Sequence, residues 1–246
     1  MPRKTANRST IEKFNFAPGT VLANKYEVIS QIGSGWESEV YIIREQSTRI
    51  ERAAKVFFPH RNPRLKNSAI SAKKAFKLRE CPIVVQYHAQ EKIDFEGHRV
   101  SCLVSEYVEG EMLSEFIERL PGKRMPAFQA LHLLHAMVKG IEEIHKKGEY
   151  HGDLHSDNVI IRRYGLGFDM KLIDLHHWGP SNKENLQDDI FDMIKVFHEA
   201  LGGIKAYSKQ PQWVKEIVCG QKRSLVLKKF RTVTKLREHL ERLEWN

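Results

Sequence analysis

The sequence predicts an α+β fold, in which a small antiparallel β-sheet with one helix is followed by a mainly α-helical part. Two patterns predict it. Apolar and β-branched residues alternate over much of the first 108 residues, as in half-buried strands. From Glu111 onward, apolar residues recur instead at the spacing of helices. The length of 246 residues suits one sizeable domain of this kind.

The strands of the first part are each marked by alternation of apolar residues. They are predicted over 25–30, 31–45, 50–58, 84–94 and 98–108. One helix is predicted over 67–79, where Ile70, Ala75 and Phe76 are the apolar residues. These elements make a small sheet with one helix.

The second part begins with a short predicted helix around Phe116. A longer helix follows, because an apolar stripe runs along one face; it consists of Leu131, Leu134, Met137, Val138, Ile141 and Ile144. Two short strands are predicted over 159–162 and 170–173, and further helices start near Gln187, Pro211 and Thr232. The predicted organisation is a flexible basic leader over 1–22 and one domain with two lobes, 23–107 and 108–246.

Charge and composition limit which partners and which cellular location the sequence predicts. The net charge of +9 concentrates in 61–79 and 222–237, which contain no acidic residue. An acidic partner or a solvated helix face explains such runs, and nucleic acid is not favoured because no aromatic interleaving accompanies them. No segment resembles a signal peptide or a membrane span, and three widely spaced cysteines indicate reduced thiols. We therefore expect a cytoplasmic protein.

Two features of the first part could bind phosphate. A turn with the sequence GSGWES lies between two predicted strands, and its small residues Gly33, Ser34, Gly35 and Ser38 would let backbone amides approach an anion. Lys55 stands in a strand otherwise built for burial, and a buried ammonium needs an anionic partner. Each feature alone is common in turns and strands that bind nothing.

The second part carries the more specific signal. The segment HGDLHSDNVII, residues 151–161, and the segment KLIDLH, residues 171–176, each place polar residues beside a short apolar strand. Asp153 could accept or orient an attacking hydroxyl, while Asn158 and Asp174 offer hard oxygen ligands to magnesium. Surface turn residues are the alternative, and the joint occurrence of both segments argues against it. Four histidines near these segments invite a zinc site, which their spacing does not favour.

Together these motifs resemble those of eukaryotic-like protein kinases, in the same order along the chain. KYEVISQIGSG resembles the opening strand and glycine-rich loop of that family, AAKVF its lysine strand and LVSEYVEG its hinge. The segments around Asp153 and Asp174 resemble its catalytic loop and magnesium-binding segment, and the helix after Asp189 resembles its buried helix. The resemblance implies a bilobal protein-kinase-like fold that uses ATP and Mg²⁺.

The resemblance also implies roles for particular residues. Lys55, Asp153, Asn158 and Asp174 would be catalytic, with Asn158 and Asp174 holding the metal. Asp189 would brace the catalytic loop, and Ser105 would be a small gatekeeper. The implied ATP-binding residues are Gly33, Ser34, Gly35, Ser38, Val40, Ala53, Lys55, Glu106, Val108 and Ile160.

Three departures from the family pattern are visible. The predicted helix over 67–79 lacks the glutamate that should pair with Lys55, so either Asp174 and the phosphates alone hold Lys55, or Glu37 or Glu39 substitutes. Gly152 stands where the family has an arginine that binds a phosphorylated activation loop. Regulation by phosphorylation of that loop is therefore not expected. Asp174 and Asp189 are separated by only 189 − 174 = 15 positions, too few for a usual peptide platform.

These departures leave the acceptor open. The leading interpretation is a serine/threonine protein kinase with a protein substrate. HGDLH is also similar to small-molecule kinases such as aminoglycoside and choline phosphotransferases, so a small-molecule or lipid acceptor is the second interpretation. The third is a pseudokinase or scaffold that binds nucleotide without turnover. The sequence names neither the regulation nor the oligomeric state.

Overall fold

The computed structural model describes residues 10–165 and 167–243, which form two compact units. Unit 1 comprises residues 10–73 and Gln86–Tyr107, and unit 2 comprises Lys74–Val85 and residues 108–243. The boundary falls within helix α1 (Lys66–Lys77), so the last four residues of that helix belong to unit 2.

Unit 1 is built on an antiparallel sheet with the strand order β1-β2-β3-β4-β6-β5. Its strands are β1 (Val21–Leu22), β2 (Tyr26–Ser34), β3 (Ser38–Glu45), β4 (Glu51–Phe57), β5 (Tyr87–Phe95) and β6 (His98–Glu106). The alternation in β3 and β4 buries one residue in two, including Tyr41, Ile43, Ala54 and Val56, and these side chains form the core of the unit. The predicted strand over 84–94 begins only at Tyr87.

The predicted leader needs a correction over residues 10–22, where the chain packs on the sheet. Ile11 and Phe14 are buried, and the Phe14 ring stacks on Phe58 with 5.3 Å between the ring centroids. The buried Glu39 carboxylate accepts hydrogen bonds from the backbone N–H groups of Phe14 and Asn15, each at 3.2 Å. Apolar side chains and a buried acceptor therefore anchor this segment, although its charged residues suggested a detached one. Residues 1–9 lie outside the described residues.

Unit 2 is mainly helical. It contains β7 (Glu111–Met112), α2 (Leu113–Glu118), α3 (Ala127–Lys146), β8 (Val159–Tyr164), β9 (Gly167–Leu172), α4 (Lys183–Ala200), α5 (Gly203–Tyr207), α6 (Gln212–Val218), α7 (Arg223–Lys229) and α8 (Val233–Glu241). The three strands form a small sheet in the order β7-β8-β9. No helix in residues 10–165 and 167–243 has the length and apolar composition to cross a bilayer.

Helix α3 is the centre of the unit 2 core. The six residues of the predicted apolar stripe are all buried. Position 140 of the same helix suits only a glycine, because Ile83 packs directly against it. A Cβ at Gly140 would lie 2.1 Å from the Ile83 Cδ1 atom. Val84 then pairs with Leu172 of β9, so the segment 83–84 joins the core to the small sheet.

The later helices match the sequence unevenly. Helices α6 and α8 begin directly after Pro211 and Thr232, as predicted. Helix α4 begins at Lys183, four residues before the predicted Gln187, because the Asn182 side chain caps it by accepting from Glu184 N at 2.8 Å and Asn185 N at 3.0 Å. The short helices α5 and α7 were not predicted.

Candidate active site

The strand register of unit 1 places several predicted ATP-binding residues on one face of its sheet. Val40 pairs with Lys55 across β3 and β4, and Ala53 pairs with Ser105 across β4 and β6. Directly opposed residues share a face, and so do residues two apart on one strand. Gly33 pairs with Val40 and thus joins the same face at the start of the glycine-rich turn.

Lys55 has an acidic partner within this turn. Its Nζ atom lies 2.8 Å from Glu37 Oε1, and both side chains are partly buried. Helix α1 carries no acidic residue, so Glu37 supplies the carboxylate that the helix lacks. Of the two expected candidates, Glu37 makes this contact, and the Glu39 carboxylate binds residues 14 and 15 instead.

The neighbouring residue of the turn makes a second contact. The Trp36 side chain is 70% exposed, and the Arg61 guanidinium lies 4.0 Å from its ring centroid. Consecutive side chains therefore connect the turn to β4 and to the segment that follows it.

Replacing Glu37 by Gln should weaken ATP binding about fivefold, because Lys55 loses the charge that orients its ammonium. A partly buried charged hydrogen bond contributes about 1–2 kcal/mol, and about 1.4 kcal/mol corresponds to a factor of ten. Calorimetric titration with an ATP analogue measures the effect. Glu51→Gln is the control, because Glu51 pairs with Arg44 at 2.7 Å in the same sheet. Equal affinities in the wild type and the Glu37 variant would contradict this role.

In unit 2, buried Asp189 of α4 organises the loop that contains Asp153. One carboxylate oxygen accepts from His151 N at 2.8 Å and lies 2.9 Å from His145 Nε2, and the other accepts from Gly152 N at 2.9 Å. Asp189 is fully buried, and its carboxylate accepts from two backbone donors that would otherwise have no partner. This is the brace that the resemblance implied.

The three predicted polar residues stand on adjoining segments of unit 2. Asp153 and Asp174 are exposed, whereas Asn158 is buried. The Asn158 amide nitrogen donates to the Asp153 carbonyl at 2.8 Å, and the Asn158 carbonyl accepts from Ile173 N, the residue before Asp174, at 3.1 Å. The backbone of Asn158 thus connects the Asp153 loop to the Asp174 segment.

His151 is a buried neutral histidine of the same loop. Its Nδ1 atom accepts from Asp153 N at 3.3 Å, and its Nε2 atom lies 3.1 Å from the Ile173 carbonyl, so Nε2 carries the proton. Burial disfavours the imidazolium and lowers the pKa of His151 to about 4. The neutral ring is the form that satisfies both hydrogen bonds.

Acid should destabilise the folded protein through His151. The unfolded imidazole takes up a proton near pH 6.5, but the folded one stays neutral until about pH 4. The unfolded state therefore binds more protons in that window, and the free energy of unfolding falls by up to about 3 kcal/mol as pH decreases across it. Denaturant unfolding at several pH values checks this, and His151→Gln should flatten the dependence. An equally steep dependence in that variant would assign the effect to other groups.

Gly152 departs from the family pattern for a reason that the structure shows. Its φ is +87°, in the left-handed region, and a Cβ would lie 2.8 Å from the Tyr150 ring and 3.1 Å from the His176 carbonyl oxygen. A residue with a side chain would be both strained and too close to its neighbours. The Tyr150 ring and the His176 carbonyl occupy the space beside the Asp153 loop.

The residues that could hold a metal ion in this site, Asn158 and Asp174, offer oxygen donors. Within the described ranges 10–165 and 167–243, no three His, Cys, Asp or Glu side chains gather as a metal site. Asn158 and Asp174 are an amide and a carboxylate, a donor pair that fits Mg²⁺, which takes few protein ligands and completes its shell with phosphate and water. Because the Asn158 nitrogen is engaged by Asp153, its Oδ1 atom is the one suited to a cation.

Comparison with known proteins decides the family. The sequence pattern of the protein kinase domain matches residues 26–194, more than half of the chain. The chain belongs to the protein kinase domain family. A crystal structure of another kinase domain matches with a TM-score of 0.64 and 18% identity, covering 77% of this chain and 68% of that one. This likeness confirms the predicted α+β, protein-kinase-like fold class.

Two curated proteins to which the chain is similar are also kinases. Serine/threonine-protein kinase pkn2 of Myxococcus xanthus is 33% identical over 157 residues, which are 63% of this chain and 18% of that protein. Serine/threonine-protein kinase Nek11 of Homo sapiens is 26% identical over 151 residues, 59% of this chain and 23% of that protein. The chain thus spans less than a quarter of the length of these two relatives.

Several residues around this kinase domain's catalytic loop were missed by the sequence analysis. Tyr150 donates from its hydroxyl to Gly179 O at 2.9 Å and accepts from Trp178 N at 2.7 Å. Lys74 contacts the same loop, although its run of basic residues suggested a solvated face. Lys73 and Lys77 lie in the same basic run, so the sequence does not indicate that Lys74 is the buried one.

Proposed function

We propose that this kinase domain transfers the γ-phosphoryl group of ATP to a serine or threonine hydroxyl of a protein substrate. One observation carries the proposal: Asp189 fixes the loop that contains Asp153 and Asn158, and that loop adjoins the Asp174 segment through Asn158 and Ile173. These residues lie in the part of the chain that matches the family.

The residues of unit 2 would perform the transfer. The exposed Asp153 carboxylate would orient the acceptor hydroxyl and accept its proton as the phosphoryl group moves. Asn158 and Asp174 would hold Mg²⁺, which when bound neutralises charge on the ATP phosphates. His151 and Asp189 would keep the loop in place, so positioning and electrostatics, without a covalent intermediate, provide the catalysis.

The residues of unit 1 would bind the nucleotide. Gly33, Ser34, Gly35 and Ser38 would bring backbone amides to the phosphates, and Lys55, oriented by Glu37, would contact the α and β phosphates. Val40 and Ala53 share the face of Lys55 and suit an adenine contact. Of the other predicted ATP contacts, Glu106 ends β6, Val108 lies in unit 2 and Ile160 lies on β8.

A small-molecule acceptor is the second candidate, favoured by the short segment after Asp174. Residues 175–182 contain no helix or strand, and α4 begins at Lys183. This segment offers little surface on which an extended peptide could bind. The protein acceptor remains the first candidate because the relatives named above are serine/threonine-protein kinases.

Label transfer separates the candidates. The wild-type chain is incubated with γ-labelled ATP and magnesium, once with a protein mixture and once with a deproteinised metabolite pool. Protein phosphorylation predicts label on serine and threonine that disappears in Asp174→Ala. Label confined to metabolites would favour the second candidate, and no transfer together with retained nucleotide binding would favour a pseudokinase.

A further inference from the structure

Lys74 stands apart from the other described lysines because it alone is buried, with 4% of its surface exposed. Burying an ammonium is unfavourable unless acceptors compensate for lost water. Burial lowers the pKa of Lys74 to about 8, while the charges of Glu149 and Asp189 oppose that shift and the charge of Lys77 adds to it. The lysine is therefore retained at a cost, which calls for a role.

The contacts of Lys74 all lie within unit 2 and reach two separate segments. Its Nζ atom donates to the His176 carbonyl and, at 3.5 Å, to the His151 carbonyl. It also lies 3.9 Å from the centroid of the Tyr150 ring, a cation–π contact. One ammonium therefore bridges the catalytic loop and the segment that follows Asp174.

The two bridged segments hold the acidic residues assigned to catalysis. His151 precedes Asp153 by two residues, and His176 follows Asp174 by two. Direct hydrogen bonds support the bridge: His176 N donates to His151 O at 2.9 Å, and Trp178 Nε1 donates to Gly152 O at 2.8 Å. The spacing between the two aspartate-bearing loops thus depends on a small polar network with Lys74 at its centre.

The same network leaves little room for control by modification. Residues 175–182 contain a single hydroxyl-bearing residue, Ser181, and Gly152 has no side chain with which to bind a phosphate. The charged group that contacts this segment is instead the Lys74 ammonium, which is present without any modification.

We propose that Lys74 is a positioning residue, whose buried ammonium holds the Asp153 loop and the Asp174 segment in one arrangement so that phosphoryl transfer needs no modification of the segment 175–182. This inference rests on the proposed function. It assigns Lys74 no contact with substrate or nucleotide. Its effect should therefore appear in kcat and in the order of the two segments, and much less in nucleotide affinity.

The test compares Lys74→Met with Lys77→Met. Methionine keeps most of the stem and removes the charge, and Lys77 is a matched control on the same helix, with an exposed ion pair to Glu149 at 2.7 Å. Lys74→Met should lower kcat about 30-fold, because small misplacements of reacting groups cost up to about 100-fold. The KM for ATP should change less than about threefold, since ATP contacts are unaffected, and Lys77→Met should stay within about twofold in both constants.

A second measurement does not need activity. Amide hydrogen exchange of residues 175–179 should accelerate about tenfold in Lys74→Met, because the charged hydrogen bond to the His176 carbonyl is lost. Trp178→Phe, which keeps an aromatic ring but deletes the donor to Gly152, should lower kcat in the same direction with an unchanged KM.

The results separate the inference from the function on which it rests. Unchanged kcat and exchange in Lys74→Met would overturn the inference, as would loss of its cooperative thermal unfolding or equal losses in Lys77→Met. An inactive wild type would overturn the proposed function, and exchange at 175–179 would still decide whether Lys74 holds the segment. Phosphatase-treated wild type should retain full kcat, and lost activity after treatment would also overturn the inference.

Discussion

Replacing Asp153 by Asn should reduce phosphoryl transfer about 1000-fold and leave nucleotide binding nearly unchanged. The Asp153 carboxylate is exposed, and an amide of the same shape cannot accept the proton of the attacking hydroxyl. The loop itself should survive, since its backbone is held through His151 and Gly152 by Asp189. Single-turnover transfer from labelled ATP and calorimetric titration with an ATP analogue measure the two quantities.

Asp157 provides the matched control for this prediction. It is an exposed aspartate four residues further along the same loop, and its carboxylate lies 3.7 Å from His155 Nδ1. Asp157→Asn should therefore keep activity within about twofold, because surface charge pairs contribute little. Equal losses in the two variants would mean that charge on the loop, and not a specific carboxylate, supports transfer.

The second large effect is expected at Gly152, where restoring the family's arginine should damage the protein. Gly152→Ala should lower the free energy of unfolding by about 3 kcal/mol, from the left-handed backbone and from overpacking against Tyr150 and His176. Gly152→Arg should cost at least as much and disturb the hydrogen bonds between residues 150–152 and 176–179. Denaturant unfolding measures the stability, and kcat should fall in parallel.

Gly148 isolates the backbone part of this effect. It also has a positive φ, +69°, but nothing lies within 4 Å of a Cβ placed there. Gly148→Ala should therefore cost only about 1 kcal/mol, the backbone contribution alone. If the alanine variants at both positions lost the same stability, the close approach of Tyr150 and His176 would have no energetic consequence.

Periodicity and motif order predicted much of the fold. Alternation in β3 and β4 and the apolar stripe of α3 are direct consequences of burying one face of an element, so they are visible in the sequence. The motifs around Asp153 and Asp174 identified the family because their order and spacing occur together. The roles of the individual site residues and the domain boundaries remain predictions.

Contacts between residues distant in sequence could not be predicted in the same way. The charged residues of 1–22 suggested a detached leader, yet Glu39 and a cluster of aromatic rings bind residues 14–16 to the sheet. The start of α4 depends on a side-chain cap by Asn182. Lys74 acts through backbone carbonyls, which every residue has, so no residue type at a fixed spacing could reveal its partners.

The contact of Glu37 with Lys55 could be predicted in part. The missing acid in α1 was visible in the sequence, and the chemistry of Lys55 required a substitute nearby. Glu37 and Glu39 are two residues apart, and strand periodicity does not distinguish them; Glu37 directly precedes β3, and Glu39 lies within it. Their contacts distinguish the two, because Glu37 pairs with Lys55 whereas Glu39 accepts hydrogen bonds from residues 14 and 15.

The most direct test of the account is calorimetric titration of an ATP analogue into the wild-type chain, with and without magnesium. The account predicts saturable binding that is strengthened by magnesium, and loss of that magnesium dependence in Asp174→Asn, because this carboxylate is assigned to the metal. No detectable binding at millimolar analogue, or a magnesium effect that persists in Asp174→Asn, would contradict it.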